Sequence, residues 1–119
     1  MKTGDHIDKP WGWEEIVDLN SHYCIKHLFI NSGHRLSKQY HVRKTETLML
    51  TEGEAELTLG VGSAERVVPM VLSQPFAISP GTTHRVRATG PQGALILEVS
   101  TIELQDVVRL EDDYGRSPS

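Results

Sequence analysis

Four side chains in this sequence have the types and spacing that hold a divalent metal ion: Gln39, His41, Glu46 and His84. Gln39 and His41 are two positions apart, so on a β-strand both point to one face. Glu46 follows after residues 42–45, and a hairpin there brings it back opposite His41. Leu48 and Leu50 share its parity and continue that face as core. His84 follows the turn Pro80-Gly81-Thr82-Thr83 and opens a later strand. Nitrogen and oxygen donors from three strands can therefore converge on one point. No thiolate is among them, so one ion of zinc, manganese, iron, nickel or cobalt is admissible. A neutral amide donates less charge than an imidazole, and Gln39 predicts weaker binding than a third histidine would give.

Basic side chains stand beside these donors. Arg43, Lys44 and Arg85 are the natural anchors for an anionic substrate. For Arg85 a second reading stands level with the first. With Arg87 it has parity opposite to His84, so both point outward and pair with the acidic run Glu111-Asp112-Asp113. Arg35 and Lys38 are lesser candidates of the same kind. Glu98 is the candidate acid–base group if its face is inward, with Ile96 and Ser100 sharing its parity; outward, it is a solvated charge. Trp11 and Trp13 are expected to clip an N-terminal segment over the body of the protein, ahead of stacking on a sugar ring. His6, His22, His27 and His34 lie outside any ligand spacing, and His6 is expected on a mobile arm.

The elements that must position these residues are short strands. Alternation or apolar runs predict strands over 24–31, 36–41, 45–51, 54–59, 66–72, 75–79, 84–89 and 94–100, punctuated by glycine and proline turns. Helical periodicity is confined to one turn near residues 103–107. Many short strands at this spacing indicate an all-β sandwich or barrel. One domain over 1–119 is expected, with an N-terminal arm over about 1–13 and a C-terminal tail over about 110–119, frayed from Arg116 on.

Composition narrows the partners. A net charge of -4 and no long basic run argue against nucleic acid. No apolar run is long enough to span a bilayer, so no membrane role is expected. The N-terminus lacks a signal-type apolar core, and Cys24 is alone, so a reducing, cytoplasmic setting is expected and Cys24 serves as a small core hydrophobe.

The stretch from Gly33 to Gly53 resembles the first signature of the cupin superfamily, with Gly33, Gln39, His41, Glu46 and Gly53 at its spacings. The run from Ser79 to His84 resembles the second, with the proline displaced by one position and Ala88 where an asparagine usually stands. Beyond the superfamily, Lys9-Pro10-Trp11-Gly12, the run from Arg35 to His41, the run from Pro80 to Arg85 and the ending from Arg109 to Arg116 look like the cupin domain of type II mannose-6-phosphate isomerases, often fused to a guanylyltransferase. The resemblance implies a single-domain jelly-roll barrel and a metal held by Gln39, His41, Glu46 and His84. It implies metal-dependent aldose–ketose isomerisation of a small-molecule sugar phosphate through an enediol, and a homodimer. A non-catalytic sugar or sugar-nucleotide binding domain is the second expectation. A cupin dioxygenase is the third, and the amide at Gln39 argues against it.

Overall fold

A computed structural model describes residues 1–116. Eleven strands and one short 3-10 turn make up the regular structure of those residues. They are β1 His6–Lys9, β2 Gly12–Leu19, β3 Cys24–Ile30, β4 Lys38–Tyr40, β5 Glu46–Gly53, β6 Ala55–Leu59, β7 Arg66–Pro69, β8 Pro75–Ile78, β9 His84–Ala88, β10 Ala94–Ser100 and β11 Val108–Glu111. All pairings are antiparallel and fall into two sheets, a six-stranded one ordered β1-β2-β3-β10-β5-β8 and a five-stranded one ordered β11-β4-β9-β6-β7. From β3 onward the chain repeatedly changes sheet, as a double-sheet jelly roll does. Among the described residues no helix is long and apolar enough to cross a membrane.

Alternation explains each strand. In β3, Cys24, Lys26, Leu28 and Ile30 are buried while Ile25, His27 and Phe29 are half-buried on the other side. In β10 the inward set is Ala94, Ile96, Glu98 and Ser100. β10 lies between β3 and β5, with Glu98 registered against Lys26 on one side and Leu48 on the other. The apolar half of the interior is a cluster that includes Ile30, Leu48, Leu50, Leu57, Val86 and Ile96. Burying each such side chain contributes about 1.5–3 kcal/mol, which offsets the polar burial at the other end of the barrel.

The ends of the chain depart from the expectation. The segment read as an arm holds β1 and the start of β2, which form a hairpin on the six-stranded sheet. Gly12 makes the turn into β2, where a Cβ would stand 1.9 Å from the Phe29 carbonyl oxygen. Trp11 is buried in the core, whereas Trp13 stacks on Phe29 outside the barrel at 5.6 Å. Residues 103–107 form turns without a helix, and β11 follows, pairing with β4. Arg116, expected to begin a frayed tail, is instead held to the Asp112 carboxylate through its main-chain N–H and its guanidinium, and the rest of that tail lies outside the described residues.

Candidate metal centre

Three donors meet where the two sheets open. Glu46 begins β5, His84 begins β9, and His41 directly follows β4, all three buried. One ligand atom from each lies within 4.8 Å of the others. Glu46 Oε1 is 2.8 Å from His84 Nε2 and 3.3 Å from His41 Nε2.

The far side of each ring determines its tautomer. His41 Nδ1 faces the Asp106 carbonyl oxygen and His84 Nδ1 the Thr82 carbonyl oxygen at 2.9 Å. A carbonyl only accepts, so both Nδ1 atoms carry hydrogen and both Nε2 atoms turn their lone pairs to the cluster when neutral. His41 Nε2 is buried with no well-formed hydrogen bond, its nearest polar contact being Glu46 Oε1 at 3.3 Å, and Glu46 Oε2 has only the ion pair with Lys44 Nζ at 3.4 Å. Leaving such an atom unsatisfied costs about 1–3 kcal/mol, and either a proton or a jointly held cation removes that cost. Two oriented imidazoles, a carboxylate and orphaned donor atoms fit a divalent ion.

The backbone around His41 is held by Asp106, whose carboxylate accepts the N–H groups of Val42, Arg43 and Lys44 at 3.0, 2.6 and 2.9 Å. Those three bonds hold the Asp106 carboxyl below its usual range. One short loop thus sets both His41 and the entry to Glu46. Asp106 carries no motif in the sequence that marks it for this role.

A charged network extends from the cluster into the barrel. Lys44 Nζ lies 3.4 Å from Glu46 Oε2 and 3.4 Å from Glu98 Oε2. Further in, Lys26 Nζ lies 3.6 Å from Glu14 Oε2, and Lys9 reaches the same carboxylate at 3.8 Å. Burial alone would raise Glu46, but its contacts with His41 and His84 and the charge of Lys44 hold it far below a normal carboxylate. Burial lowers Lys44, and Glu98 and Glu46 more than restore it. Glu98 ends above its ordinary value, raised by burial and by Glu46 and only partly lowered by Lys44 and Lys26.

A cavity of about 120 Å³ opens onto this network, bordered by Gln39, His41, Lys44 and Glu98. Gln39 is registered against His84 across the β4–β9 pair, and its Oε1 accepts the Ser37 hydroxyl at 2.6 Å. Lys44 and Glu98 face this interior, and Glu98 is inward. Arg43 and Arg85 are not brought to it. Arg43 is exposed on the loop. Arg85 lies on the outer side of β9, because His84, Val86 and Ala88 take the inward positions. Its Nε donates to the Leu36 carbonyl at 2.9 Å, and its other nitrogens reach the Glu111 main-chain and side-chain oxygens. The outward, acid-paired reading of Arg85 is the one realised, through Glu111. The cations that do border the cavity are Lys9, Lys26, Lys44, Arg109 and Arg116. Lys26 was detectable, since it shares parity with Cys24, Leu28 and Ile30. Arg109 and Arg116 lie in the C-terminal segment, where no spacing in the sequence ties them to the cluster.

A jelly-roll barrel with a His/Glu/His cluster at its open end defines a cupin. Solved structures with this fold include the capsular polysaccharide assembling protein CapF from Staphylococcus aureus, at a TM-score of 0.76 and 13% identity, covering 90% of this chain and 34% of that one. Oxalate decarboxylase from Bacillus subtilis gives 0.75 at 16% identity, covering 90% and 30%. At those identities the likeness shows fold alone.

Family is shown by sequence. Residues 1–112 match the family described as mannose-6-phosphate isomerase C-terminal, and the chain belongs to it. The xanthan biosynthesis protein XanB of Xanthomonas campestris is 32% identical over 93% of this chain and 24% of its own length. The alginate biosynthesis protein AlgA of Pseudomonas putida is 31% identical over 98% and 24%. The mannose-1-phosphate guanylyltransferase ManC of Salmonella typhimurium is 31% identical over 92% and 23%. The chain thus spans about a quarter of the curated relatives it matches.

Proposed function

We propose that this cupin domain is a metal-dependent sugar-phosphate isomerase that interconverts mannose 6-phosphate and fructose 6-phosphate. The observation that carries the reading is a metal-fitting donor cluster whose His41 borders the cavity and, across Lys44, a cavity-lining carboxyl group whose pKa is raised by burial. Metal-assisted aldose–ketose exchange uses those two functions side by side.

His41, Glu46 and His84 would hold the ion, with the Gln39 amide at the cavity wall as a fourth donor. When bound, the ion supplies a Lewis acid for the charge that develops on the substrate carbonyl oxygen. Arg109, Arg116 and Lys9 border the cavity and would bind the phosphate, replacing Arg43 and Arg85 in that role. Glu98 takes the proton from C2 on a carboxylate oxygen and returns it to C1, while a second proton passes from O2 to O1 to turn the aldehyde into a hydroxyl and the C2 hydroxyl into a ketone. The pKa of Glu98, raised above that of an ordinary carboxyl by burial and by Glu46, favours its holding the proton before return. Lys44 stands between Glu98 and Glu46 and offsets the repulsion between the two carboxylates.

A second reading is a non-catalytic sugar-phosphate or sugar-nucleotide binding domain. The cavity size favours it, since about 120 Å³ is below the ~300 Å³ at which ligand pockets usually start. NMR of mannose 6-phosphate with chelated protein reconstituted separately with zinc, manganese, cobalt, nickel and iron(II) separates the two. Turnover with at least one metal, lost in His84→Ala, is the expected result. Metal binding and ligand-induced stabilisation without turnover would move the chain to the second reading.

A further inference from the structure

The inward face of the six-stranded sheet carries an acid–base pair that neither the metal centre nor the proton transfer uses. Glu14 on β2 is registered against Leu28 on β3, and Ile16 against Lys26, so Glu14 and Lys26 are diagonal neighbours on the two strands. Their side chains are 8% and 7% exposed, and both border the cavity. Lys26 Nζ stops 3.6 Å from Glu14 Oε2, and Lys9 Nζ stops 3.8 Å from Glu14 Oε1. Those separations are too long for hydrogen bonds. Among the described residues, neither Glu14 nor Lys26 hydrogen-bonds through its side chain to any other group. An ammonium has three donors and a carboxylate about four acceptor positions. A buried pair that served packing alone would close to hydrogen-bond distance, because unspent donors and acceptors are costly in the interior. Here the capacity is left to whatever enters the cavity.

We propose that Glu14 and Lys26 form a subsite that reads a vicinal diol of the ligand, Lys26 donating to one hydroxyl oxygen and Glu14 accepting the hydrogen of its neighbour. A hydroxyl both donates and accepts, so two adjacent hydroxyls match an ammonium and a carboxylate held side by side. The inference rests on the sugar-phosphate reading in taking its ligand from there. In that reading the metal and Glu98 act on C1 and C2 and the arginines hold the phosphate on C6, which leaves the hydroxyls on C3 and C4 for this pair. Lys26 is registered against Glu98 on β10, so the subsite adjoins the reacting end. Arg109 is registered against Gln39 on the five-stranded sheet, so the phosphate is held from the other wall. Glu14 and Lys26 are then specificity-determining residues. An analogue that lacks either hydroxyl leaves a buried charged group without its hydrogen bond, and such a site rejects it strongly.

Calorimetric titration of zinc-loaded protein with 1,5-anhydromannitol 6-phosphate tests it, since that probe has no carbonyl and cannot isomerise. Wild type should bind it about tenfold or more tightly than its 3-deoxy and 4-deoxy analogues. Glu14→Leu combined with Lys26→Met removes both charges together, which a buried pair tolerates better than the loss of one. That double variant should keep its zinc and bind the three probes alike. Glu14→Gln is the independent variant should the double variant fail to fold, and it should narrow the preference. Equal affinity of wild type for the parent and the deoxy probes overturns the proposal. So does a preference undiminished in a folded variant, or a parent probe that does not bind. Binding with the expected preference but no turnover of mannose 6-phosphate overturns the isomerase reading alone and leaves the diol subsite standing.

Discussion

Replacing Lys26 by methionine tests whether the charges at the barrel mouth are desolvated. The thioether chain matches the lysine stem in length, so packing is nearly kept and the ammonium is what is lost. Lys26 is 7% exposed at its side chain and lies 3.6 Å from a Glu14 carboxylate that is 8% exposed. It is also registered against Glu98 on β10. Breaking a buried pair by removing one partner costs about 3–5 kcal/mol when nothing else compensates the remaining charge. Here Glu14 keeps Lys9 at 3.8 Å and Glu98 keeps Lys44 at 3.4 Å. The expected loss is therefore smaller, about 2–3 kcal/mol. For a chain of this size that is a fall in Tm of about 8–12 °C. Lys9→Met, with a side chain 27% exposed, should cost under ~1 kcal/mol. Urea denaturation of the metal-free proteins followed by circular dichroism gives both values. A neutral or stabilising Lys26→Met, or a larger loss from Lys9→Met, would refute the claim that this end of the barrel is a dry ion network.

Two further perturbations address the frame that holds the site. Gly53 has φ +82° and a Cβ there would lie 2.1 Å from the Gly93 carbonyl oxygen, so Gly53→Ala should destabilise by about 3 kcal/mol or more in the same assay. Asp112 is held down to about 2 by its paired hydrogen bonds to Arg116, against the effect of burial. A depressed carboxyl contributes stability that is complete above its unfolded value near 4 and is lost as pH falls toward about 2. After allowance for solvent screening the loss is about 1 kcal/mol, and Asp112→Asn should remove that part of the pH dependence of the urea midpoint.

Much of this was legible in residue spacing, and the failures have physical reasons. Period-two alternation, apolar runs and turn signals placed eight strands from β3 to β10, and the parity of Ile96, Glu98 and Ser100 left only the choice of face. β1 and β2 escaped because Glu14 interrupts the apolar alternation at a buried position, where only an ion pair makes a carboxylate tolerable. β11 escaped because its partner β4 is three residues long and the pairing is non-local. For Arg85, proximity in sequence to His84 competed with strand parity, and parity decided. The cations at the cavity come from β1, β3, the β4–β5 loop, β11 and the segment after it, elements brought together only by closure of the barrel.

The central claim is that Glu98 moves the proton beside a metal held by His41, Glu46 and His84. The most direct measurement is turnover of mannose 6-phosphate by metal-loaded Glu98→Gln against metal-loaded wild type, with metal content determined on the same samples. Loss of about 100-fold or more in rate at unchanged metal content is the predicted result. Equal rates in the two proteins, or a wild type that binds metal and leaves the sugar phosphate unchanged, would contradict it.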